Sequence, residues 1–352
     1  MKDNYFKYID YYGNYSLNQI KINEVDYLIF ATLSYLPYID IKDGMSLKTL
    51  GDKILSLDKS KFLGTMTPKA IDLLESVYNK KRYRNIRVYK IYKENTSSIQ
   101  FGVISFRYKN NLIVSFEGTN NAMSGWIENF KLVSTFPTIT HEKALDYLNK
   151  VVRPADKNIY LTGHSKGGNT AMVCAYLVKS SIFNRIKKIY NFDGPGFRKE
   201  EFNTPRFKEV NMKTSNYLPD GSLVGILLLN RKYNYLSSEG VAFQKHYPYN
   251  WRMYGGFFEK SELEKSSANF KAKLDNALMS LDYKEYNICV KQLDKFFKDN
   301  KIINTYDFKN IKFDEFVKMF NDIKGLDKNT KEIFISLIKS VFFNKINKST
   351  NN

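Results

Sequence analysis

The chain has 352 residues, 43% of them apolar, with 55 Lys and Arg against 36 Asp and Glu and a net charge of +19. That is enough apolar material for a sizeable core in one large domain, or in one domain with an appendage. Two cysteines, Cys174 and Cys289, imply no disulfide framework and no metal-ligand cluster, and no run of about eighteen apolar residues exists to span a membrane.

The start of the chain, Met1-Lys2-Asp3-Asn4-Tyr5, lacks the basic-then-apolar pattern of a secretory signal. Together with the cysteine usage this points to a reducing, cytoplasmic setting. So basic a chain attracts phosphate-rich surfaces, either nucleic acid or anionic lipid.

Residues 1–78 read as helices with loops. Val25, Leu28, Ile29 and Leu33 follow a helix period, and Pro68 before Ala70-Ile71-Asp72-Leu73-Leu74 reads as a helix start. Strands are expected next, at Arg87–Tyr92, Gln100–Tyr108 and Leu112–Phe116, the last two joined by a turn at Asn110-Asn111. Leu112–Phe116 runs into Glu117-Gly118-Thr119-Asn120. The segment Asn121–Phe136, with Trp126, Phe130, Leu132 and Phe136, reads either as a lid or as a surface helix with a buried face. A helix over His141–Val151 leads to Ile159-Tyr160-Leu161-Thr162, which ends in Gly163-His164-Ser165-Lys166-Gly167. Further strands are expected at Ile186–Phe192, ending in Asp193-Gly194-Pro195-Gly196, at Val210–Leu218, ending in Pro219-Asp220-Gly221, and at Val241–Lys245, leading to His246. Strands alternating with helices predict a largely parallel sheet covered on both faces. From about Gly256 the chain becomes Lys-, Asn- and Phe-rich with a helix period, predicting helices at Glu259–Leu281, Tyr283–Lys298, Phe313–Ile323 and Lys331–Phe343.

The organising stretch is Gly163-x-Ser165-x-Gly167. A strand, a turn too sharp for ordinary side chains and a helix are the layout of a nucleophile elbow. The helix start aims free N–H groups and a partial positive charge at the serine, and the Lys166 N–H would be one oxyanion donor. A serine nucleophile needs a base and a group that orients the base. There are three histidines. His164 adjoins the serine and should point away and pack; His141 precedes the elbow by a helix and would lie at the wrong edge. His246 follows the last strands and fits the Ser, Asp, His order of α/β-hydrolases. Two carboxylates could orient it, Asp220 and Asp193, each ending a strand. Asp220 is preferred and Asp193 remains the alternative. The second oxyanion donor would come from Thr119, whose competing reading is a cap for the segment that follows.

Phe116-Glu117-Gly118-Thr119, Gly125-Trp126 and Gly163-His164-Ser165-Lys166-Gly167-Gly168 resemble the class 3 lipase group of α/β-hydrolases. Asn23-Glu24-Val25-Asp26, Leu33-Ser34-Tyr35, Gln100-Phe101, Asp193-Gly194-Pro195-Gly196-Phe197, Ser222-Leu223-Val224-Gly225 and His246-Tyr247-Pro248-Tyr249-Asn250-Trp251 resemble its bacterial Mbeg-like branch. The resemblance implies an α/β-hydrolase fold: a central, mostly parallel sheet with N-terminal helices over residues 1–255, and a C-terminal helical appendage over 256–352. It implies a serine esterase or lipase, with Ser165 as nucleophile, His246 as base, Asp220 as acid and Thr119 in the oxyanion hole. It also makes residues 120–136 the counterpart of the lipase lid. No cofactor or metal is required. Two residues depart from the lipase pattern: Glu117, where lipases usually carry Arg, and Lys166, where they often carry an apolar residue. Lys166 would suit an anionic or polar leaving group, or stand solvated.

Three readings follow. The first is a serine hydrolase acting on acyl esters, lipids or phospholipids. The second is a hydrolase-fold protein that binds an acyl ligand or a partner without turnover. The third is nucleic-acid binding through the basic, aromatic-rich stretch Asn79–Lys93. The alternation of that stretch equally suits a strand with one solvated face, and the same charge could seat the chain on anionic lipid.

Overall fold

Four helices open the chain in the computed structural model: α1 (Tyr5–Tyr12), α2 (Glu24–Leu33), α3 (Leu47–Leu55) and α4 (Met66–Val77), with the short strand β1 (Met45–Ser46) before α3. The structure describes residues 4–310, apart from 63, 280 and 281, and past 310 only residues 314, 317, 318, 331, 332 and 335. The helices expected at Phe313–Ile323 and Lys331–Phe343 lie outside the described residues, those few positions excepted. At the start of α2, the Asn23 side chain accepts from the Val25 and Asp26 N–H groups, and Asp26 accepts from the Asn23 N–H at 2.9 Å, a capping box. Every residue of α2 after Glu24 is buried, so this helix is a core element with no solvent face.

The remaining strands are β2 (Arg87–Asn95), β3 (Gln100–Tyr108), β4 (Asn111–Phe116), β5 (Asn158–His164), β6 (Ile186–Phe192), β7 (Thr214–Pro219), β8 (Tyr233–Leu236) and a small hairpin, β9 (Met253–Tyr254) with β10 (Phe257–Phe258). Between them run α5 (Met123–Lys131), α6 (Ile139–Val151), α7 (Lys166–Leu177), α8 (Ser180–Phe183), α9 (Lys199–Phe202) and α10 (Pro205–Lys213). Then follow α11 (Lys265–Met279) and α12 (Tyr283–Asp299). Strands β1 to β8 form one sheet in sequence order. The pairs from β1 to β4 are antiparallel and those from β4 to β8 parallel.

That order decides where the helices go. A right-handed crossover from each parallel strand to its next neighbour, always stepping the same way, puts every connecting helix on one face. The burial pattern agrees. Phe101, Val103, Leu112, Val114, Phe116, Ile159 and Leu161 pack with α6, α7 and α10. The intervening residues Ile104, Phe106 and Ile113 face the other side, onto α1, α2 and α4. This is the two-residue alternation of a strand read from both faces. Among the described residues, no helix is long and apolar enough to cross a membrane.

Two expected strands differ. Val210 lies within a helix: Thr204 caps α10 by accepting from the Phe207 N–H, and Pro205 stands at its first position, so the strand begins only at Thr214. Val241–Lys245 is a 3-10 turn over Ala242–His246, because the sheet already ends at β8. The four residues of β8, Tyr233-Asn234-Tyr235-Leu236, are too short a signal to read as a strand.

The basic stretch 79–93 does not present one face. Arg82 is buried, donating to Asp26 at 2.5 and 2.8 Å, and Tyr83 donates to the same carboxylate at 2.7 Å. Lys93 is half-buried and pairs with the buried Glu117 at 2.6 Å. Lys81, Arg84, Arg87 and Lys90 remain exposed.

Candidate active site

The sheet brings three turns side by side. Phe116 of β4 pairs with Gly163 of β5, and His164 pairs with Phe192 of β6. The turns after these strands hold Gly118-Thr119, Ser165 and Asp193, at the carboxyl edge where open α/β sheets place ligands.

Ser165 has φ 58° and ψ −133°, a strained conformation for a residue with a side chain. Close packing enforces it. A Cβ on Gly163 would lie 2.2 Å from the Gly167 backbone, so only glycine lets strand and helix meet there. The Ser165 N–H donates to the Phe192 carbonyl at 2.9 Å, fastening the elbow to β6. The Lys166 N–H opens α7, where no intrahelical acceptor exists for it.

His246 comes from the 3-10 turn, and its Nδ1 lies 2.6 Å from Asp193 Oδ2. The other carboxylate oxygen of Asp193 accepts from the Ser222 hydroxyl at 2.5 Å and from the Gly225 N–H at 2.9 Å. Three donors thus converge on one buried carboxylate. Burial raises the Asp193 carboxyl, the Ser222 hydroxyl and Gly225 N–H opposing it, and burial lowers the His246 imidazole.

Asp220, expected to orient His246, does not meet it. Its carboxylate takes Lys245 Nζ at 3.0 Å, its neighbour's N–H at Gly221 (2.9 Å) and the Ser261 hydroxyl at 3.4 Å. The reason is positional. Asp193 ends β6, the strand next to the elbow strand, and φ 53° turns it at the strand end; Asp220 ends β7, one strand farther out, and is held by the lysine that precedes His246.

His164 packs as expected, but between named partners. Its Nε2 lies 2.9 Å from the His246 carbonyl and its Nδ1 3.0 Å from the Tyr35 hydroxyl. A carbonyl only accepts, so Nε2 carries the proton and Tyr35 donates to Nδ1. The residue before the nucleophile therefore holds the backbone of the candidate base. His141 lies behind the elbow helix: its Nδ1 accepts from the Thr138 N–H and its Nε2 sits 2.9 Å from Asn169 Oδ1.

Burial lowers all three histidines, His141 to about 4 and His164 and His246 to about 3, against an ordinary 6.5. The unfolded chain gains these protons near 6.5 and the folded chain only near 3 to 4. Their contribution to stability is therefore whole above 6.5 and lost as the pH falls toward the folded values. Asp193, raised by burial, works in the opposite sense and between pH 7 and pH 5 offsets about one of the three histidines. Glu128, held down to about 2, is unaffected until the pH passes below its ordinary 4.5. The urea midpoint is accordingly expected to drop between pH 7 and pH 5, and a His141→Gln variant to show a shallower drop.

Thr119 lies in the turn after β4 and Lys166 opens α7, and the side chain of each is engaged away from the expected oxyanion role. The Thr119 hydroxyl accepts from Asn129 Nδ2 of α5 at 2.9 Å, which leaves its N–H as the group for the site. The Lys166 side chain is neither solvated nor turned to a leaving group. It is 1% exposed and donates to the Gln100 carbonyl at 2.8 Å and to Glu128 at 3.0 Å. Burial alone would raise the Glu128 carboxyl; the Lys166 ammonium and Thr140 overturn that and bring it down to about 2.

Helix α5, expected as the counterpart of a lid, is thus fastened to the elbow. Helix α12 packs against α5 and the segment after it: Tyr286 donates to the Phe130 carbonyl at 2.9 Å and Ser134 to Asn287 at 2.7 Å. Trp126 reaches Phe243, with ring centroids 6.2 Å apart, and Phe243 lies 4.9 Å from the His246 ring. Ser165 and His246 are 7% and 4% exposed beneath this cover. Ser222 and Gln100 are visible in the sequence only as parts of motifs; nothing in their spacing announces their partners.

The chain matches no curated protein. Among solved structures it is similar to M37 lipase (17% identity, 57% of this chain and 68% of that one, TM-score 0.36). It is similar also to a mutant form of MDLA from Penicillium cyclopium (13%, 60% and 78%, TM-score 0.38) and to the Rhizomucor miehei lipase propeptide complex (14%, 60% and 67%, TM-score 0.36). Overlaps this loose say nothing about chemistry. The model of the Mbeg1-like family matches residues 77–298, more than half of the chain and all of the turns described above. The chain therefore belongs to the Mbeg1-like family, a family of class 3 lipase-like proteins.

Proposed function

We propose that this protein is a serine hydrolase that cleaves acyl esters, lipids among them. The observations that support the reading are the Asp193–His246 pair at 2.6 Å and, on the neighbouring strand, a serine held at φ 58° in a strand–helix turn. Ser165 Oγ attacks the ester carbonyl while His246 Nε2 takes its proton. The same nitrogen returns that proton to the departing alcohol, leaving an acyl-serine that water then hydrolyses by the same route. Asp193 holds the imidazole with Nδ1 protonated. The N–H groups of Thr119 and Lys166 receive the charge that develops on the carbonyl oxygen.

Fluorophosphonate labelling tests this. The parent chain is expected to label, and Ser165→Ala and His246→Ala chains to stay unlabelled; labelling that survives Ser165→Ala would sink the reading. The near-complete burial of Ser165 and His246 favours a second reading, an acyl-binding protein without turnover. Repeating the assay with detergent micelles and with anionic vesicles separates the two. The net charge of +19 suits an anionic lipid surface as the place where substrate is met, so labelling should rise most with the anionic vesicles.

A further inference from the structure

Gln100, the first residue of β3, is fully buried, and its side chain does an unusual thing for a buried amide. Its Nε2 donates to the Gly118 carbonyl at 3.2 Å and also faces the buried Glu117 carboxylate, while its Oε1 has no hydrogen-bond partner among the described residues. A half-satisfied amide in the interior costs stability, and an apolar side chain of the same length would avoid that cost. The donor is the part of Gln100 in use.

Its acceptor is well chosen. The Gly118 carbonyl and the Thr119 N–H belong to one planar trans peptide and point in opposite directions. A donor holding the carbonyl on the β3 side aims the Thr119 N–H the other way, off β3. The Thr119 side chain is fixed separately, by Asn129. The backbone carbonyl of Gln100 also takes the Lys166 ammonium at 2.8 Å. One residue of β3 therefore touches Lys166 and the peptide that carries the Thr119 N–H. Space is kept for it: a Cβ on Gly125 of α5 would lie 2.6 Å from Gln100 Oε1 and 3.2 Å from Thr119 Cγ2.

We propose that Gln100 is the positioning residue of the oxyanion hole, orienting the Gly118–Thr119 peptide through its carbonyl so that the Thr119 N–H faces the reacting carbonyl oxygen. This rests on the hydrolase reading above. Gln100 touches no substrate; it acts through the peptide.

Two variants test it. Gln100→Met keeps the length and removes the donor. Gly125→Ala leaves Gln100 in place but crowds its amide off Gly118, and an alanine within a helix favours folding. With p-nitrophenyl butyrate, each is expected to lower kcat by about 10- to 100-fold and to change KM by less than about twofold. A role in packing alone would not single out kcat. If the parent turns over and both variants keep its kcat, or if kcat falls only as far as folded protein is lost, the proposal is overturned while the hydrolase reading stands. If the parent neither turns over nor labels, the hydrolase reading has failed, and the crystal structure of Gln100→Met decides the positioning role. A Gly118 carbonyl turned from its direction in the parent supports it, and an unmoved peptide overturns it.

Discussion

Replacing Asp193 by Asn is expected to cut ester hydrolysis by about a thousandfold or more, whereas Asp220→Asn is expected to leave it within about threefold. The first change keeps the shape and removes the charge that selects the Nδ1-protonated imidazole. An amide at 193 would present either an NH2 or a neutral oxygen to His246 Nδ1, while the Ser222 hydroxyl and Gly225 N–H still demand an acceptor on its other side. The ring would then be free to protonate at Nε2, which could no longer accept from Ser165. Asp220 has no such role. Its carboxylate is shared among Lys245, Gly221 and Ser261, in a partly exposed ion pair whose loss costs little. Burst and steady-state rates with a chromogenic ester, on both variants at matched folded fraction, check this. A large loss in Asp220→Asn with a small one in Asp193→Asn would reverse the assignment.

Lys166→Met is expected to destabilise the fold by about 3–5 kcal/mol, because it leaves a buried Glu128 charge with no counter-ion. The pair is nearly out of water, at 1% and 4% exposure, so solvent cannot compensate. Thr140 supplies two further donors to Glu128, its N–H at 2.9 Å and its hydroxyl. These satisfy hydrogen bonds but carry no charge. The double variant Lys166→Met with Glu128→Gln is expected to recover about 1–3 kcal/mol relative to the sum of the single changes. Urea unfolding of the four proteins measures the coupling, and additive effects would refute it. The same pair bears on access to the site. Swinging α5 away as a lid would separate Lys166 from Glu128 and Asn129 from Thr119, so opening carries the cost of exposing the elbow's own neighbour.

Much of this arrangement is legible in the residues themselves. Gly163-x-Ser165-x-Gly167 after an apolar run places the strained turn, because only glycine tolerates the approach of α7 to β5. Chain order picks His246 from three histidines. The elbow strand and Ile186–Phe192 are legible to their ends or within a residue, since β-branched and aromatic runs bounded by glycine are local signals. What lies beyond reach is every choice between equals. Asp193 and Asp220 both follow a strand and both precede glycine; which one meets His246 depends on β6, not β7, lying against the elbow strand. Lys166 reads as a lysine turned to an anionic or polar leaving group, or solvated. Its burial depends on Glu128, 38 positions away, arriving on α5. Local propensity and period set the elements and the turn that carries the serine. Strand order in the sheet and the packing of α5 decided which carboxylate and which lysine surround it, because those partners meet only when distant segments share one interior.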